Sequence, residues 1–140
     1  MKILILGTFE KTKNVIQKYP DLEGSILDLG IVNDVRAYLE ICNLYVNPIR
    51  TGGGTSCVEA MDKGIPIVTT AYGDVAVNAG DGFCTQDYST MADLILKYKR
   101  EQIFYQEKSK EAKKRAEELL DTPAAFQELF DEFIRRANLI

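Results

Sequence analysis

Residues 50–61 read Arg50-Thr51-Gly52-Gly53-Gly54-Thr55-Ser56-Cys57-Val58-Glu59-Ala60-Met61. The preceding run, residues 44–47, predicts a short buried strand that Pro48 ends. Residues 58–63 predict a helix that Gly64 stops, and residues 65–70 predict the next strand. A triple-glycine loop therefore lies between a strand and the N-terminus of a helix. Free backbone N–H groups and the positive end of the helix dipole make such a loop a candidate anion site.

The same residues also permit a purely structural interpretation. Glycines between a strand and a helix can simply form a tight turn, and Ser56 and Glu59 fit the S-x-x-E pattern of a capping box. Two features favour an anion site. Arg50 brings a fixed cation suited to phosphate, and three successive glycines are more than a turn needs. Both interpretations of Glu59 stay open at this point.

The composition of the chain excludes several classes of function. The 140 residues fit one domain, and a hydrophobic content of 46% can form a sizeable core. A net charge of −4 argues against a nucleic-acid partner. The sequence has no His, and its three Cys have no paired spacing, so we expect neither a metal site nor a disulfide framework. Reduced thiols indicate a cytoplasmic protein, with the inner face of the membrane as the alternative location.

Apolar runs alternate with helical patterns along the chain. Residues 2–7 and 25–29 predict two further strands, and residues 80–84 predict a turn with a short edge strand. Asn33 and either Ser89 or Thr90 are the expected N-caps of two helices. Helices are predicted over 11–19, 34–42, from Ser89 or Thr90 to about Lys99, 101–120, and 123 to about Asn138. This alternation predicts an α/β fold, a Rossmann-like, doubly wound and mostly parallel sheet with extra C-terminal helices.

A second glycine loop, Ala71-Tyr72-Gly73-Asp74, follows the strand at residues 65–70. Ligands in open α/β sheets bind at the carboxyl ends of the strands. We therefore expect Gly73 and Asp74 to share one binding site with the first glycine loop.

The ordered motifs of this region resemble the donor-binding, C-terminal half of a GT-B glycosyltransferase. They are Asn47-Pro48-Ile49-Arg50-Thr51-Gly52-Gly53-Gly54-Thr55-Ser56, then Glu59-Ala60-Met61, then Gly64-Ile65-Pro66-Ile67-Val68-Thr69. The chain is most similar to the retaining, metal-independent glycosyl transferases of group 1 (family 4), which use nucleotide sugars. The resemblance extends over about residues 3–96 and is strongest over residues 44–73. It implies a UDP- or GDP-linked sugar donor as substrate and no cofactor.

The resemblance also implies roles for individual residues. Glu59 matches the carboxylate that accepts hydrogen bonds from the ribose hydroxyls, and Gly30, Ile31 and Val32 match the segment that forms the pocket for the base. These three can equally be ordinary turn and core residues. The leaving diphosphate would be stabilised by Arg50, the helix dipole and the first glycine loop. Candidate catalytic residues are Arg50 and Glu59, and candidate binding residues are Gly30, Ile31, Val32, Arg50, Thr51, Gly52, Gly53, Gly54, Thr55, Ser56, Glu59, Gly73 and Asp74.

Two positions depart from the family pattern. The family often has two glutamates eight residues apart, and the first of them contacts the donor sugar. Thr51 holds that position here, so the donor sugar and the choice between a retaining and an inverting reaction stay open. Asp74 stands where a second glycine is common.

In the resembled family an acceptor domain precedes this half. We therefore expect residues 1–140 to be the donor-binding domain alone, either a piece of a longer enzyme or one subunit of a split one, and to be inactive in isolation. The alternative is a non-catalytic nucleotide-binding or scaffolding subunit of a transferase complex. A flavodoxin-like or receiver-type domain is a further alternative, although Thr8-Phe9-Glu10 lacks the acidic cluster that it would need.

The last predicted helix carries a strongly apolar stripe. Its members are Phe126, Leu129, Phe130, Phe133 and Ile134. A stripe of this kind marks an interaction surface. In the resembled family the last helix reaches toward the other domain. We therefore expect part of the stripe to be exposed on this chain, or to be covered by a second copy in a homodimer.

Overall fold

The computed structural model describes residues 1–137, and their contacts fall into two units. The first unit is Met1–Tyr38, and the second begins at Leu39. The first unit contains two parallel strands, β1 (Ile3–Leu6) and β2 (Ile26–Gly30), with Ile3 opposite Ile26. Between them come α1 (Thr12–Lys18) and a 3-10 turn at Pro20–Leu22. The buried hydroxyl of Thr12 donates a hydrogen bond to the Asp28 carboxylate and so ties α1 to β2.

The next helix, α2 (Val35–Leu39), begins and ends differently from the prediction. The Ala37 N–H donates to the Asp34 side chain at 3.3 Å, so Asp34 caps the helix and the expected cap at Asn33 is wrong. The helix stops at Leu39 instead of Cys42. The reason is a tight turn, in which the Cys42 N–H donates to the Leu39 carbonyl at 3.1 Å.

The second unit is organised around a three-stranded parallel sheet. Its strands are β3 (Tyr45–Asn47), β4 (Ile67–Thr70) and β5 (Cys84–Thr85), in the order β3-β4-β5. All four residues of the central strand β4 are buried, because helices pack against it. The two-residue β5 agrees with the predicted short edge strand. Parallel strands that alternate with helices confirm the predicted α/β, Rossmann-like fold class.

Within the described part of the second unit, residues 39–137, five α-helices follow β3. They are α3 (Gly54–Asp62), α4 (Asp74–Ala79), α5 (Tyr88–Arg100), α6 (Gln102–Leu120) and α7 (Thr122–Ala137). Helix α3 starts four residues before the predicted Val58, and α4 was not predicted at all. Helix α5 is capped by Asp87, which exchanges hydrogen bonds with Thr90 in a capping box, so the expected cap at Ser89 or Thr90 is wrong. The predicted end of the last helix, at about Asn138, lies outside the described residues.

Helix α3 is held in place by its neighbours α4 and α6. Ala112 and Ala116 of α6 are completely buried, and their small side chains let α6 lie close to α3. The Ser109 hydroxyl of α6 donates to the carbonyl of Gly64, just beyond the end of α3, at 2.5 Å. Met61 of α3 and Phe83 are among the largest fully buried side chains of this core.

The apolar stripe on α7 is exposed, as predicted. Its five members, Phe126, Leu129, Phe130, Phe133 and Ile134, are between 41% and 68% exposed. A partner that covers the stripe stays a prediction. Within residues 1–137, no helix has the length and apolar character that spanning a membrane requires.

The close approach of α6 to α3 leads to a stability prediction. Ala112→Leu should lower the free energy of unfolding by about 1–3 kcal/mol, because the larger side chain overpacks a fully buried contact. Its exposed neighbour provides the control, and Lys113→Leu should change stability by no more than about 0.5 kcal/mol. Urea unfolding of both variants measures the difference. Equal effects would contradict tight packing of the two helices.

Candidate functional site

The three glycines before α3 have different structural roles. Gly52 and Gly53 have φ angles of +85° and +97°, which side-chain-bearing residues rarely adopt. Gly53 is the N-cap of α3, and Gly54 is its first helical residue. Gly54 has an ordinary helical φ, but a Cβ there would lie 2.8 Å from Asp74 Oδ2 and 2.9 Å from Asn78 Nδ2. The first two glycines therefore serve the turn, and the third serves close packing.

The position of Ser56 settles the capping-box alternative. A capping box needs Ser at the N-cap, whereas Ser56 is the third residue of α3. Its hydroxyl donates to the Gly53 carbonyl at 3.2 Å instead. The capping-box interpretation of Ser56 and Glu59 is therefore wrong. Glu59 lies half-buried in the middle of α3.

Strand β3 contacts the glycine loop through the side chain of Tyr45. The Tyr45 hydroxyl lies 3.3 Å from both the Gly53 carbonyl and the Ser56 hydroxyl. A Cβ at Gly53 would meet this hydroxyl at 3.1 Å and the buried Asn47 Oδ1 at 3.5 Å. Burial raises the pKa of Tyr45, so its hydroxyl stays protonated and able to donate. Tyr45 and Asn47 were not among the predicted site residues, although the period-2 pattern of a strand places both on one face.

The second glycine loop lies against the first. Gly73 has a φ of +86°, and a Cβ there would lie 2.8 Å from the Arg50 carbonyl oxygen and 3.9 Å from Thr51 Cα. The Gly54 N–H donates to Asp74 Oδ2 at 3.1 Å. The two glycine loops therefore lie in contact, and a ligand site shared by them stays a prediction. Arg50, Thr51 and Thr55 are exposed beside this junction.

The side chains of α4 engage both polar groups of Gly54. Asp74 accepts its N–H, and Asn78 Nδ2 donates to its carbonyl at 3.2 Å. The other Asp74 oxygen accepts the Val75 N–H at 3.0 Å. The first N–H of α3 therefore already donates its hydrogen bond to a carboxylate. Asn78 was not predicted, because its role depends on a helix that the sequence pattern did not indicate.

Gly30, Ile31 and Val32 belong to the first unit. Gly30 ends β2 with a φ of +62°, and its N–H donates to the Asp28 side chain at 3.2 Å. Ile31 is 80% exposed and Val32 is half-buried. Ile31 is therefore not a core residue. Of the two structural roles considered for it, turn residue or core residue, only the first remains.

Cys57 is a fully buried free thiol in α3. Burial, aided by the nearby Asp74, raises the pKa of the Cys57 thiol to about 12, so the thiol is not ionised at neutral pH. In the described part of the chain, no group of three or more His, Cys, Asp or Glu is placed to hold a metal ion. The chemically useful features of the site are backbone N–H groups, hydroxyls, Arg50 and the carboxylates of Glu59 and Asp74.

Comparisons with known proteins agree with the α/β fold. A family model described as glycosyl transferases group 1 matches residues 1–100. Among solved structures, the sucrose-phosphate synthase of Thermosynechococcus elongatus superimposes with a TM-score of 0.73 at 17% sequence identity. The match covers 99% of this chain and 39% of that protein, and at this identity it concerns the fold alone. No curated protein matches.

The contact between Tyr45 and the loop can be tested by removing one hydroxyl. Tyr45→Phe should lower the free energy of unfolding by about 0.5–1.5 kcal/mol, the usual contribution of one hydrogen bond. Hydrogen exchange of the Cys57 amide, which bonds to the same Gly53 carbonyl, should also become faster. The exposed Tyr72 is the matched control, and Tyr72→Phe should change neither quantity. Unchanged exchange at Cys57 in Tyr45→Phe would show that the hydroxyl does not hold the loop.

Proposed function

We propose that this chain, which belongs to the glycosyl transferases group 1 family, is the donor-binding half of a glycosyltransferase. In the proposed reaction a sugar moves from a nucleoside diphosphate sugar to an acceptor. The observation that carries the proposal is the junction of the two glycine loops at the N-terminus of α3. There Gly73 approaches the backbone of Arg50 and Thr51, and Gly52 and Gly53 leave the helix end uncovered by side chains of their own.

The N-terminus of α3 offers the hydrogen-bond donors and the positive charge that can stabilise a leaving diphosphate. The first intrahelical bond of α3 runs from the Cys57 N–H to the Gly53 carbonyl at 2.9 Å, so the N–H groups of Thr55 and Ser56 precede the helical ladder. Together with the helix dipole and the exposed Arg50, they can stabilise charge that builds on the departing phosphate. This arrangement needs no metal and no cofactor.

Glu59 provides the second half of donor recognition. The ribose hydroxyls of a UDP- or GDP-linked donor can donate to its carboxylate, and such charge-assisted hydrogen bonds are stronger than neutral ones. Gly30, Ile31 and Val32 are the proposed contacts of the base. Thr51 lacks the carboxylate that the family often has at this position, so the donor sugar and the stereochemical course are part of what the experiments must determine.

The chain spans 39% of the length of sucrose-phosphate synthase, and the acceptor half is proposed to come from a further domain or a partner subunit. Transfer requires the acceptor hydroxyl to be held near the anomeric carbon with water excluded, and such positioning contributes a large part of catalysis. We place the protein in the cytoplasm and expect no nucleic-acid partner.

One observation favours a second candidate function, a non-catalytic nucleotide-binding or scaffolding subunit of a transferase complex. Asp74 already accepts a hydrogen bond from an N–H at the N-terminus of α3, and Thr51 has no carboxylate that could contact the sugar. This candidate shares nucleotide binding with the first. It differs in predicting no transfer even when the acceptor half is supplied.

The role of Glu59 gives a quantitative prediction. Glu59→Gln should weaken UDP or GDP binding by about 1–3 kcal/mol, because charge-assisted hydrogen bonds to the ribose are lost. Asp62→Asn removes a charge from the exposed end of the same helix and should leave affinity unchanged. Titration calorimetry measures both variants, and thermal melts check that each is folded. Equal affinities of Glu59→Gln and the unmodified chain would exclude the ribose contact.

The central prediction is that this chain alone binds a nucleoside diphosphate and transfers nothing. In amide chemical-shift mapping, UDP or GDP should move the resonances of residues 52–56 and 73–74, while those of α7 serve as an internal control. Donor hydrolysis and transfer by the purified chain should stay at background. Robust transfer would refute the half-enzyme proposal, and the absence of any response to either nucleotide would refute donor binding.

A further inference from the structure

The Asp74 carboxylate occupies the place at the end of α3 that an anionic ligand would take. Gly54 is the first helical residue of α3, and its N–H has no acceptor within the helix. Asp74 Oδ2 accepts this N–H at 3.1 Å, while Oδ1 accepts the Val75 N–H at 3.0 Å. A negative charge therefore already lies at the positive end of the α3 dipole.

The contact is enforced by packing as well as by charge. Asp74 and Asn78 are one turn apart on α4, and Asn78 Nδ2 donates to the Gly54 carbonyl at 3.2 Å. Any Cβ at Gly54 would lie within 3 Å of an atom of each side chain. No space therefore remains between the Gly54 backbone and α4 for a phosphate oxygen while Asp74 keeps its position.

We propose that the Asp74 carboxylate is an internal competitor for the diphosphate of the donor, and that it regulates occupancy of the site. The inference rests on the proposed function, because it assigns a control to the same glycine-loop site. A phosphate oxygen and a carboxylate oxygen are both acceptors, and the single Gly54 N–H serves one of them well. The two groups also repel each other as like charges. A bound diphosphate therefore displaces Asp74 from Gly54.

Asp74 has a route out of the contact. It is exposed and is the first residue of α4, so rotation of its side chain releases Gly54 without unfolding any buried segment. Asn78 still holds the Gly54 carbonyl during this change, and the Gly53 carbonyl still accepts the Cys57 N–H. Displacement of Asp74 thus opens one N–H while the start of α3 stays fixed.

The test measures binding of inorganic pyrophosphate and of UDP to the full 140-residue chain and its variants by titration calorimetry. Asp74→Asn should bind pyrophosphate about tenfold more tightly than the unmodified chain, because the repelling charge is gone. Asp93→Asn removes the same charge from the exposed surface of α5 and should bind within about twofold of the unmodified chain. Equal or weaker pyrophosphate binding by Asp74→Asn would overturn the proposal.

A measurement on the unmodified chain does not depend on how well the variants fold. Pyrophosphate should shift the Gly54 amide and the side-chain carboxyl carbon of Asp74 together, because one acceptor replaces the other. A shift of the Gly54 amide without a shift of the Asp74 carboxyl carbon would overturn the proposal, as would no shift of either group.

UDP separates this proposal from the proposed function. If the unmodified chain binds UDP and Asp74→Asn shows no gain for pyrophosphate, internal competition is refuted and donor binding stands. If Asp74→Asn gains affinity for pyrophosphate but UDP binds no better than pyrophosphate, internal competition stands and nucleotide recognition is refuted.

Discussion

The carbonyl oxygen of Gly53 determines where α3 begins, and the geometry of the site depends on it. It accepts the first helical N–H, from Cys57, at 2.9 Å, and it is also approached by the hydroxyls of Ser56 and Tyr45 at 3.2 and 3.3 Å. A single oxygen thereby joins the helix to strand β3. Because its position is fixed from two elements, the N–H groups of the first turn point in a constant direction, which a preorganised anion site requires.

Helix α6 also helps to hold the glycine loop in place. Ala112 and Ala116 bring α6 close to α3, and Arg115 of the same helix donates to the Asn78 carbonyl at 3.0 Å. Asn78 in turn holds the Gly54 carbonyl. The packing of an outer helix therefore reaches the glycine loop through a continuous set of contacts. The glycine loop is thus held by contacts with β3 and α4, and α6 in turn holds α4.

Sequence patterns predicted most of the strands and the glycine loop because these depend on local signals. Apolar runs located β1, β2 and β4, and Gly52 and Gly53 marked a turn that needs positive φ. Helix α4 was missed because its six residues, between Gly73 and Gly80, are too few to show a helical period. The start of α3 was placed late because Gly54 is a poor helix former, yet contacts with α4 outweigh that preference. Tyr45 could have been found from strand alternation, whereas Asn78 required knowledge of the tertiary packing.

The two kinds of glycine in the loop differ in how they would respond to genetic change. At Gly52 and Gly53 the positive φ angle itself strains an L side chain, so a substitution elsewhere that makes room does not remove the strain. At Gly54 the obstacle consists of the side chains of Asp74 and Asn78. A methyl group there could be accommodated by shortening those two neighbours, so second-site suppressors exist in principle for position 54 and not for 52 or 53. Position 54 and helix α4 are therefore free to diverge only as a linked set, while the two preceding glycines are constrained by their own backbone conformation.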